Sequence, residues 1–306
     1  MPRPAQRRPP ITATDRPFAG VAEVVDRFDR HDHLLDTGTA SAIYLAVTLG
    51  RPLLLEGEPG VGKTSAAKNL AAVLGSPLIR LQCYEGLSAA EALYDWNYQR
   101  QLLSIRLAEA RGGGISEADL YTENYLVDRP ILRCVRHRGP TPPVLLIDEI
   151  DRADDEFEAL LLEFLGEAAV TVPEIGTFTA EHRPLAVLTS NRSRDLHDAL
   201  RRRCLYHWID YPDPVRAVAI LRRTVSGATA PLIEQAAQFV GAARDLDLDK
   251  PPGISETIDW VAALVTLGVG DLVAQPDEVP ATLGTLAKTP DDRVTLGEAF
   301  AGYSPR

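Results

Sequence analysis

Leu53-Leu54-Leu55-Glu56-Gly57-Glu58-Pro59-Gly60-Val61-Gly62-Lys63-Thr64 decides the fold. The three leucines read as a short, fully buried strand. Gly57 to Thr64 matches G-x-x-x-x-G-K-[ST], with Gly57, Gly62, Lys63 and Thr64 in the fixed positions. Glycines at that spacing let the backbone curl until successive N–H groups face one point, which makes a nest for an anion. A helix opening near Lys63 adds the positive end of its dipole. Lys63 then offers a charge to the β- and γ-phosphates of a nucleotide, and Thr64 offers a hydroxyl to Mg²⁺. A glycine-rich turn carrying a stray lysine is the plainer alternative; the strand before the motif and the helix after it favour the phosphate loop.

Working outward, Pro143-Val144-Leu145-Leu146-Ile147-Asp148-Glu149 is a second apolar run, and it ends in two acids. Ligands collect at the C-terminal ends of buried parallel strands. Asp148 is placed there to hold the Mg²⁺ shell, and Glu149 to orient and deprotonate a water attacking the γ-phosphate. The nearby acids Asp151, Asp154, Asp155 and Glu156 allow a solvated acidic turn instead. A third apolar run, Leu185 to Thr189, ends in Ser190-Asn191. Asn191 suits a water-holding or γ-phosphate contact, or alternatively the cap of a helix over residues 193–200. Leu200-Arg201-Arg202-Arg203-Cys204 reads either as a solvated basic face or as a source of transition-state charge stabilisation.

The whole chain has the composition expected of an ordinary soluble globular protein. It has 306 residues, 45% hydrophobic and 25% charged, enough for a large core. Lys+Arg is 32 against Asp+Glu 43, a net charge of -11, which argues against nucleic acid as the partner because such affinity comes mainly from basic side chains. Cys83, Cys134 and Cys204 are odd in number and show no ligand spacing, so neither a zinc site nor a disulfide framework is expected. Cys83 and Cys134 read as inert thiols within or near apolar strands. No secretory signal or membrane span is read. The longest apolar stretch, Trp260 to Val269, is half of the roughly 20 residues a bilayer needs. A cytoplasmic location is expected.

Residues 1–17, rich in Pro and Arg, read as a disordered tail. Helices are expected over 39–49, 65–74, 89–93, 102–110 and 156–167, strands over 78–81 and 205–209, and a β-hairpin from 170–172 and 177–179. Strands alternating with helices imply a parallel sheet. Beyond Pro212 and Pro214 only helices are expected, over 215–225, 231–246 and 256–267, which divides the chain into residues 18–211 and a smaller all-α domain, 212–306. The aromatics Tyr84, Trp96, Tyr98, Tyr121 and Tyr125 mark an insert, read as packing within itself rather than gripping a partner. The hairpin tip near Glu174-Ile175-Gly176 is the better candidate for a contact surface.

The glycine loop, strand-Asp-Glu, strand-Asn and helix-Arg, in that order over about residues 35–210, resemble the AAA+ ATPases. The Val170–Thr179 hairpin and the helical tail resemble the MoxR subgroup. EALYDWNYQRQLL (91–103), TENYLVDRPIL (122–132) and GISETIDW (253–260) are similar to the CoxD group within it, which accompanies aerobic carbon monoxide dehydrogenase. The resemblance implies a P-loop AAA+ three-layer α/β domain followed by a helical lid. It implies that Gly57, Glu58, Pro59, Gly60, Val61, Gly62, Lys63, Thr64 and Ser65 bind ATP, with Thr64 and Asp148 on Mg²⁺. Glu149 is implied as the catalytic base, Asn191 as sensor 1, and Arg203, with Arg202 second, as the residue reaching a neighbouring subunit's γ-phosphate. It further implies a homo-oligomeric, hexameric ring, a von Willebrand factor A partner protein, and a molybdenum hydroxylase client whose metal cluster is matured. The lid departs from the family in one place: Thr257 stands where MoxR-type lids often carry a sensor-2 arginine, and Arg244 and Arg216 are the possible substitutes. A nucleic-acid motor and a P-loop kinase on the same fold are the competing readings; Glu149, Asn191 and the helical tail favour a hydrolase.

Overall fold

Apolar runs bounded by turn residues become the buried strands of a central sheet. The computed structural model describes residues 17–304, so the tail expected at residues 1–17 lies outside the described residues apart from Pro17. In chain order come α1 (Val21–Asp29), α2 (Thr37–Leu49), β1 (Leu53–Gly57), α3 (Lys63–Leu74) and β2 (Leu78–Gln82). The insert comes next: α4 (Ala89–Ala92), β3 (Tyr94–Trp96), α5 (Tyr98–Ala110), α6 (Glu117–Leu120), β4 (Leu126–Asp128) and α7 (Pro130–Val135). After it are β5 (Val144–Asp148), a 3-10 turn (Ile150–Arg152), α8 (Asp155–Glu167), β6 (Ala169–Val172), β7 (Gly176–Thr179), β8 (Leu185–Ser190), α9 (Asp198–Arg201) and β9 (Leu205–Ile209). The chain then runs through α10 (Pro214–Thr224), α11 (Ala230–Ala243), α12 (Ile254–Thr266) and α13 (Pro290–Ala301).

The sheet has five strands in the order β2-β5-β8-β1-β9. Parallel pairing sets Leu81 beside Ile147, Gln82 beside Asp148, and Ile147 beside Leu188. β5 is buried along its whole length, which is why it carries no polar residue before its last position. Helix α8 opens on Asp154, whose carboxylate accepts the Phe157 N–H at 2.9 Å, and it sends Phe157, Leu161, Phe164 and Leu165 into the core beside the sheet.

Contact density divides the chain into two compact units. The first takes in, among the described residues, Pro17–His31, Leu35–Leu55 and Ala67–His207; its core includes Leu145, Ile147, Leu188, Ile131 and Phe164. The second takes in Asp32–Leu34, Glu56–Ala66 and the chain from Trp208 onward. Its core is helical, around Phe239, Trp260, Leu264, Leu296 and Phe300, with the buried Trp260 Nε1 donating to Thr282 Oγ1 at 2.8 Å.

Some elements differ from the sequence expectation. Cys134 lies in helix α7, beside strands β2 and β5 and not within one: Arg129-Pro130 places proline at the first turn, where its missing N–H costs nothing. The helix expected over 193–200 is instead α9, four residues long, because Ser193 and Arg194 bond to the turn before α8. Helices α1 and α13 and the β3–β4 pair were not legible. Within the insert, Trp96 is buried and meets Tyr121 edge-on at 5.1 Å and Tyr94 at 6.5 Å, whereas Tyr84 and Tyr98 are exposed. At the hairpin tip Glu174 is exposed but Ile175 packs against the core, so the tip offers less surface than expected.

Candidate functional site

The glycine loop curls through positive φ at Gly57, Gly60 and Gly62, a conformation glycine adopts without a Cβ penalty. A Cβ on Gly57 would collide with the Ile209 carbonyl, and a Cβ on Gly60, at φ +76°, would stand 2.5 Å from Glu256 Oε2. The Lys63 ammonium is buried and turned into the loop, donating to the carbonyls of Gly57 at 2.7 Å and Glu58 at 2.8 Å. Lys63, Thr64 and Ser65 form the first turn of α3, and the Ala66 N–H closes it on the Gly62 carbonyl at 2.9 Å. Val61 is buried beneath the turn, while Glu58 and Pro59 are exposed. Ser65 Oγ lies 3.4 Å from His33 Nδ1. Burial, then the nearby Arg216 guanidinium, lowers the His33 pKa to about 4, so the ring is neutral at physiological pH.

The start of α12 is fastened to this loop. Ser255 donates to the Gly60 carbonyl through its N–H at 3.2 Å and its hydroxyl at 3.3 Å, and the Glu256 carboxylate accepts the Gly253 N–H at 3.1 Å. Thr257 is buried and turns its hydroxyl back to the Gly253 carbonyl at 2.7 Å. Arg244 stacks over Tyr211 at 4.4 Å and donates to the Pro252 and Pro212 carbonyls, with burial lowering its pKa. Arg216 donates to the Leu34 carbonyl at 3.1 Å. Both arginines are thus tied to backbone carbonyls within the helical unit.

At the end of β5 the Asp148 carboxylate is almost fully buried and held on both oxygens. Thr189 Oγ1 donates to Oδ1 at 2.6 Å, and Arg80 donates to Oδ2 from Nε at 3.0 Å and Nη2 at 2.6 Å. Thr189 also accepts the Glu149 N–H at 2.9 Å, so one buried hydroxyl orients both acids. Glu149 has φ 56° and ψ 50°, a left-handed conformation uncommon for a residue with a side chain. It marks stored strain of the order of 1–3 kcal/mol, such as clusters at functional sites. The Glu149 side chain is half-exposed, with Arg152 Nε 3.5 Å away.

Asn191 lies just past β8 and does not cap a helix. Its N–H donates to Asp151 Oδ2 at 3.2 Å, which also accepts the Ser193 N–H at 2.9 Å and the Ser193 hydroxyl at 2.6 Å. Asp151 is buried, contrary to the solvated turn allowed by sequence. Buried Glu158 acts alongside it, pairing with Arg194 and accepting the His197 N–H at 2.9 Å. Arg51 reaches the carbonyls of Arg202, Arg203 and Cys204, fixing the end of α9. Arg202 pairs with Asp198 at 3.1 Å; the Arg203 side chain is exposed and makes no hydrogen bond or ion pair among the described residues. Sequence reasoning passed over Arg80 and gave Asp151 and Thr189 no bonding role, because those roles come from segments that meet only in the fold.

Each unit brings its own donors. In the second, a buried ammonium faces a loop that turns through three glycines at positive φ and opens a helix, an arrangement that fits a phosphate chain. In the first, Asp148 supplies an anionic oxygen of the kind Mg²⁺ selects. The cysteines take no part. Cys83, Cys134 and Cys204 are free and buried with their thiols raised to about 12, by burial in each case and for Cys83 also by Asp148, Asp151 and Glu149.

These features define a P-loop nucleotide-binding domain of the AAA class. The chain belongs to the family described as AAA domain (dynein-related subfamily), whose model matches residues 52–204. It is 27% identical over 179 residues to Protein NorQ of Paracoccus denitrificans, covering 56% of this chain and 57% of NorQ. It is also 31% identical over 136 residues to the Lon protease of Halothermothrix orenii, covering 40% of this chain and 14% of that protein. The chain thus spans less than two thirds of the curated relatives it matches. The solved structure of a point mutant of Thermotoga maritima RuvB aligns with TM-score 0.47 at 18% identity, over 88% of this chain and 71% of that one.

Proposed function

We propose that this protein is an ATPase of the MoxR type, which hydrolyses ATP within a homo-oligomeric ring to remodel a protein client. The observation that carries the reading is the pair of acids ending β5: buried Asp148 clamped on both oxygens, then Glu149 in a strained left-handed turn. A half-exposed carboxylate on a strained backbone, next to a buried one, suits a base that must be free to take a proton from water.

In this reading Gly57–Ser65 wrap the phosphates. The Lys63 ammonium leaves the loop carbonyls for the β- and γ-phosphates as ATP enters, and α3 directs its N-terminal N–H groups at them. Thr64 and Asp148 would hold Mg²⁺, which would supply charge neutralisation to the phosphates. Glu149 orients and deprotonates the attacking water, Asn191 positions it, and Arg203 serves a neighbouring subunit. Residues 18–211 form the catalytic domain and 212–306 its lid, which meets the nucleotide without a sensor-2 arginine at Thr257. The likeness to NorQ supports the narrower MoxR-type reading. A von Willebrand factor A partner and a molybdenum hydroxylase client, matured in its metal cluster in the cytoplasm, rest on the motif resemblance alone. Among the described residues no helix is long and apolar enough to cross a membrane.

The test is nucleotide binding and turnover in three proteins. Wild type should bind and hydrolyse ATP with Mg²⁺. Lys63→Ala should lose binding. Glu149→Gln should bind ATP with affinity near that of wild type yet hydrolyse it at least tenfold more slowly. Normal turnover by Glu149→Gln would remove Glu149 as the base.

A further inference from the structure

Arg80 itself has no role in the ATPase chemistry assigned so far, and its pairing with Asp148 bears directly on the metal. Arg80 sits on β2, at the edge of the sheet, with its side chain 46% exposed, while the Asp148 side chain is 3% exposed. Parallel pairing puts Gln82 level with Asp148 and Arg80 two residues earlier, on the same face, so Arg80 reaches diagonally across to the carboxylate. Two of its nitrogens converge on one oxygen, Oδ2, and Nη2 also touches Gln82 Oε1. The other oxygen belongs to Thr189.

A buried carboxylate needs a counter-charge, and here a guanidinium supplies it at Oδ2, one of the two oxygens through which the carboxylate could hold a metal. Arg80 cancels the pull of Asp148 on a divalent cation for as long as it stays. Its guanidinium is half in water and regains hydration when it swings away, but the buried carboxylate it leaves needs another positive charge, so a cation must take its place as it goes. Thr189 keeps the carboxylate oriented in either arrangement, since its hydroxyl is buried and shared with the Glu149 N–H. We propose that Arg80 is a positioning residue that competes with the divalent cation for Asp148 Oδ2, holding the carboxylate ready and weakening metal binding until the guanidinium is displaced. The proposal rests on Asp148 being a metal ligand, as in the proposed function.

The probe is Mn²⁺, whose free signal in electron paramagnetic resonance falls on binding, titrated into protein saturated with ADP. Arg80→Gln keeps hydrogen-bonding capacity and loses the charge, so it should bind Mn²⁺ at least fivefold tighter at low ionic strength. Arg80→Lys keeps the charge but loses the two-nitrogen grip on one oxygen, and should gain about twofold. That second variant carries the test if Arg80→Gln fails to fold. In an Asp148→Asn background, Arg80→Gln should bring no further gain, because the coupling runs through that carboxylate. Unchanged or weaker Mn²⁺ binding in the Arg80 variants, beside a wild type that binds it, overturns this proposal and leaves the ATPase reading standing. A wild type that binds ADP but no Mn²⁺ overturns Asp148 as a metal ligand and this proposal with it.

Discussion

Asp151 shows how a single buried carboxylate organises the residues around a reacting centre. One of its oxygens gathers three donors, from the Asn191 backbone and from the backbone and hydroxyl of Ser193. Hydrogen bonds to a charged acceptor contribute about 1.5–3 kcal/mol each where the partner is otherwise buried. Asp151→Asn should therefore loosen the segment carrying Asn191 more than it harms the glycine loop. We expect ATP turnover to fall at least tenfold while ADP affinity moves by less than threefold; equal losses in both would point to general unfolding instead. His33 makes a second prediction at this scale. Its pKa is lowered from 6.5 to about 4 in the folded protein, by burial first and Arg216 second. Between those values the unfolded chain binds the extra proton and the folded one does not, so stability is complete above pH 6.5 and falls as pH drops toward 4. Comparing urea midpoints at about pH 6.5 and about pH 5 should show His33→Gln losing about 1–2 kcal/mol less than wild type across that interval. Equal losses would mean that His33 does not govern this acid sensitivity.

At the scale of elements, the glycine loop and helix α12 are built against each other within the helical unit. An added Cβ on Gly253 would lie 2.8 Å from the Pro59 carbonyl oxygen and 2.9 Å from Gly60 Cα, and backbone atoms cannot step aside as a flexible side chain does. Gly253→Ala should push the start of α12 off the loop, weakening ADP binding at least tenfold while the far-UV circular dichroism stays that of wild type. Retained affinity would show that the loop tolerates the helix moving. This fastening was not legible in the sequence, where Gly253-Ile254-Ser255 enters only through a family resemblance and the helix is expected from residue 256. What was legible had a local cause. The apolar runs of β1, β5 and β8 and the stripe on α8 announce themselves by period and length. The phosphate loop does so by glycine spacing. Elements that failed to show lean on distant partners: β3 and β4 are three residues each and pair across the insert, and α9 is cut short by bonds from Ser193 and Arg194 to segments about 40 residues away. Arg80 was hidden for the same reason, since nothing in Leu78-Ile79-Arg80-Leu81-Gln82 says that β2 will lie beside β5.

For the whole molecule the deciding question is whether one chain contains its full catalytic set. Arg203 is exposed, makes no hydrogen bond or ion pair among the described residues, and is held in place through its backbone by Arg51. An arginine so presented suits a partner outside its own chain, and stabilising transition-state charge from outside is worth a factor of about 10³–10⁵ in phosphoryl transfer. Two measurements should therefore agree. Light scattering of Glu149→Gln with Mg-ATP should show the mass rise from that of one chain, 33.3 kDa, to near six times that. In mixtures, Arg203→Ala subunits retain a working glycine loop and Lys63→Ala subunits retain Arg203. Turnover should therefore reappear only where an Arg203→Ala subunit sits beside a Lys63→Ala subunit that presents its arginine. Each variant alone should be inactive, the first for want of the arginine and the second for want of nucleotide. If Arg203→Ala alone turned over ATP at the wild-type rate, the role would pass to Arg202, whose pairing with Asp198 at 3.1 Å on the exposed face of α9 is weak enough to release it. A monomer with full turnover would remove the trans-acting arginine altogether, because the arginine would then have no neighbour to serve.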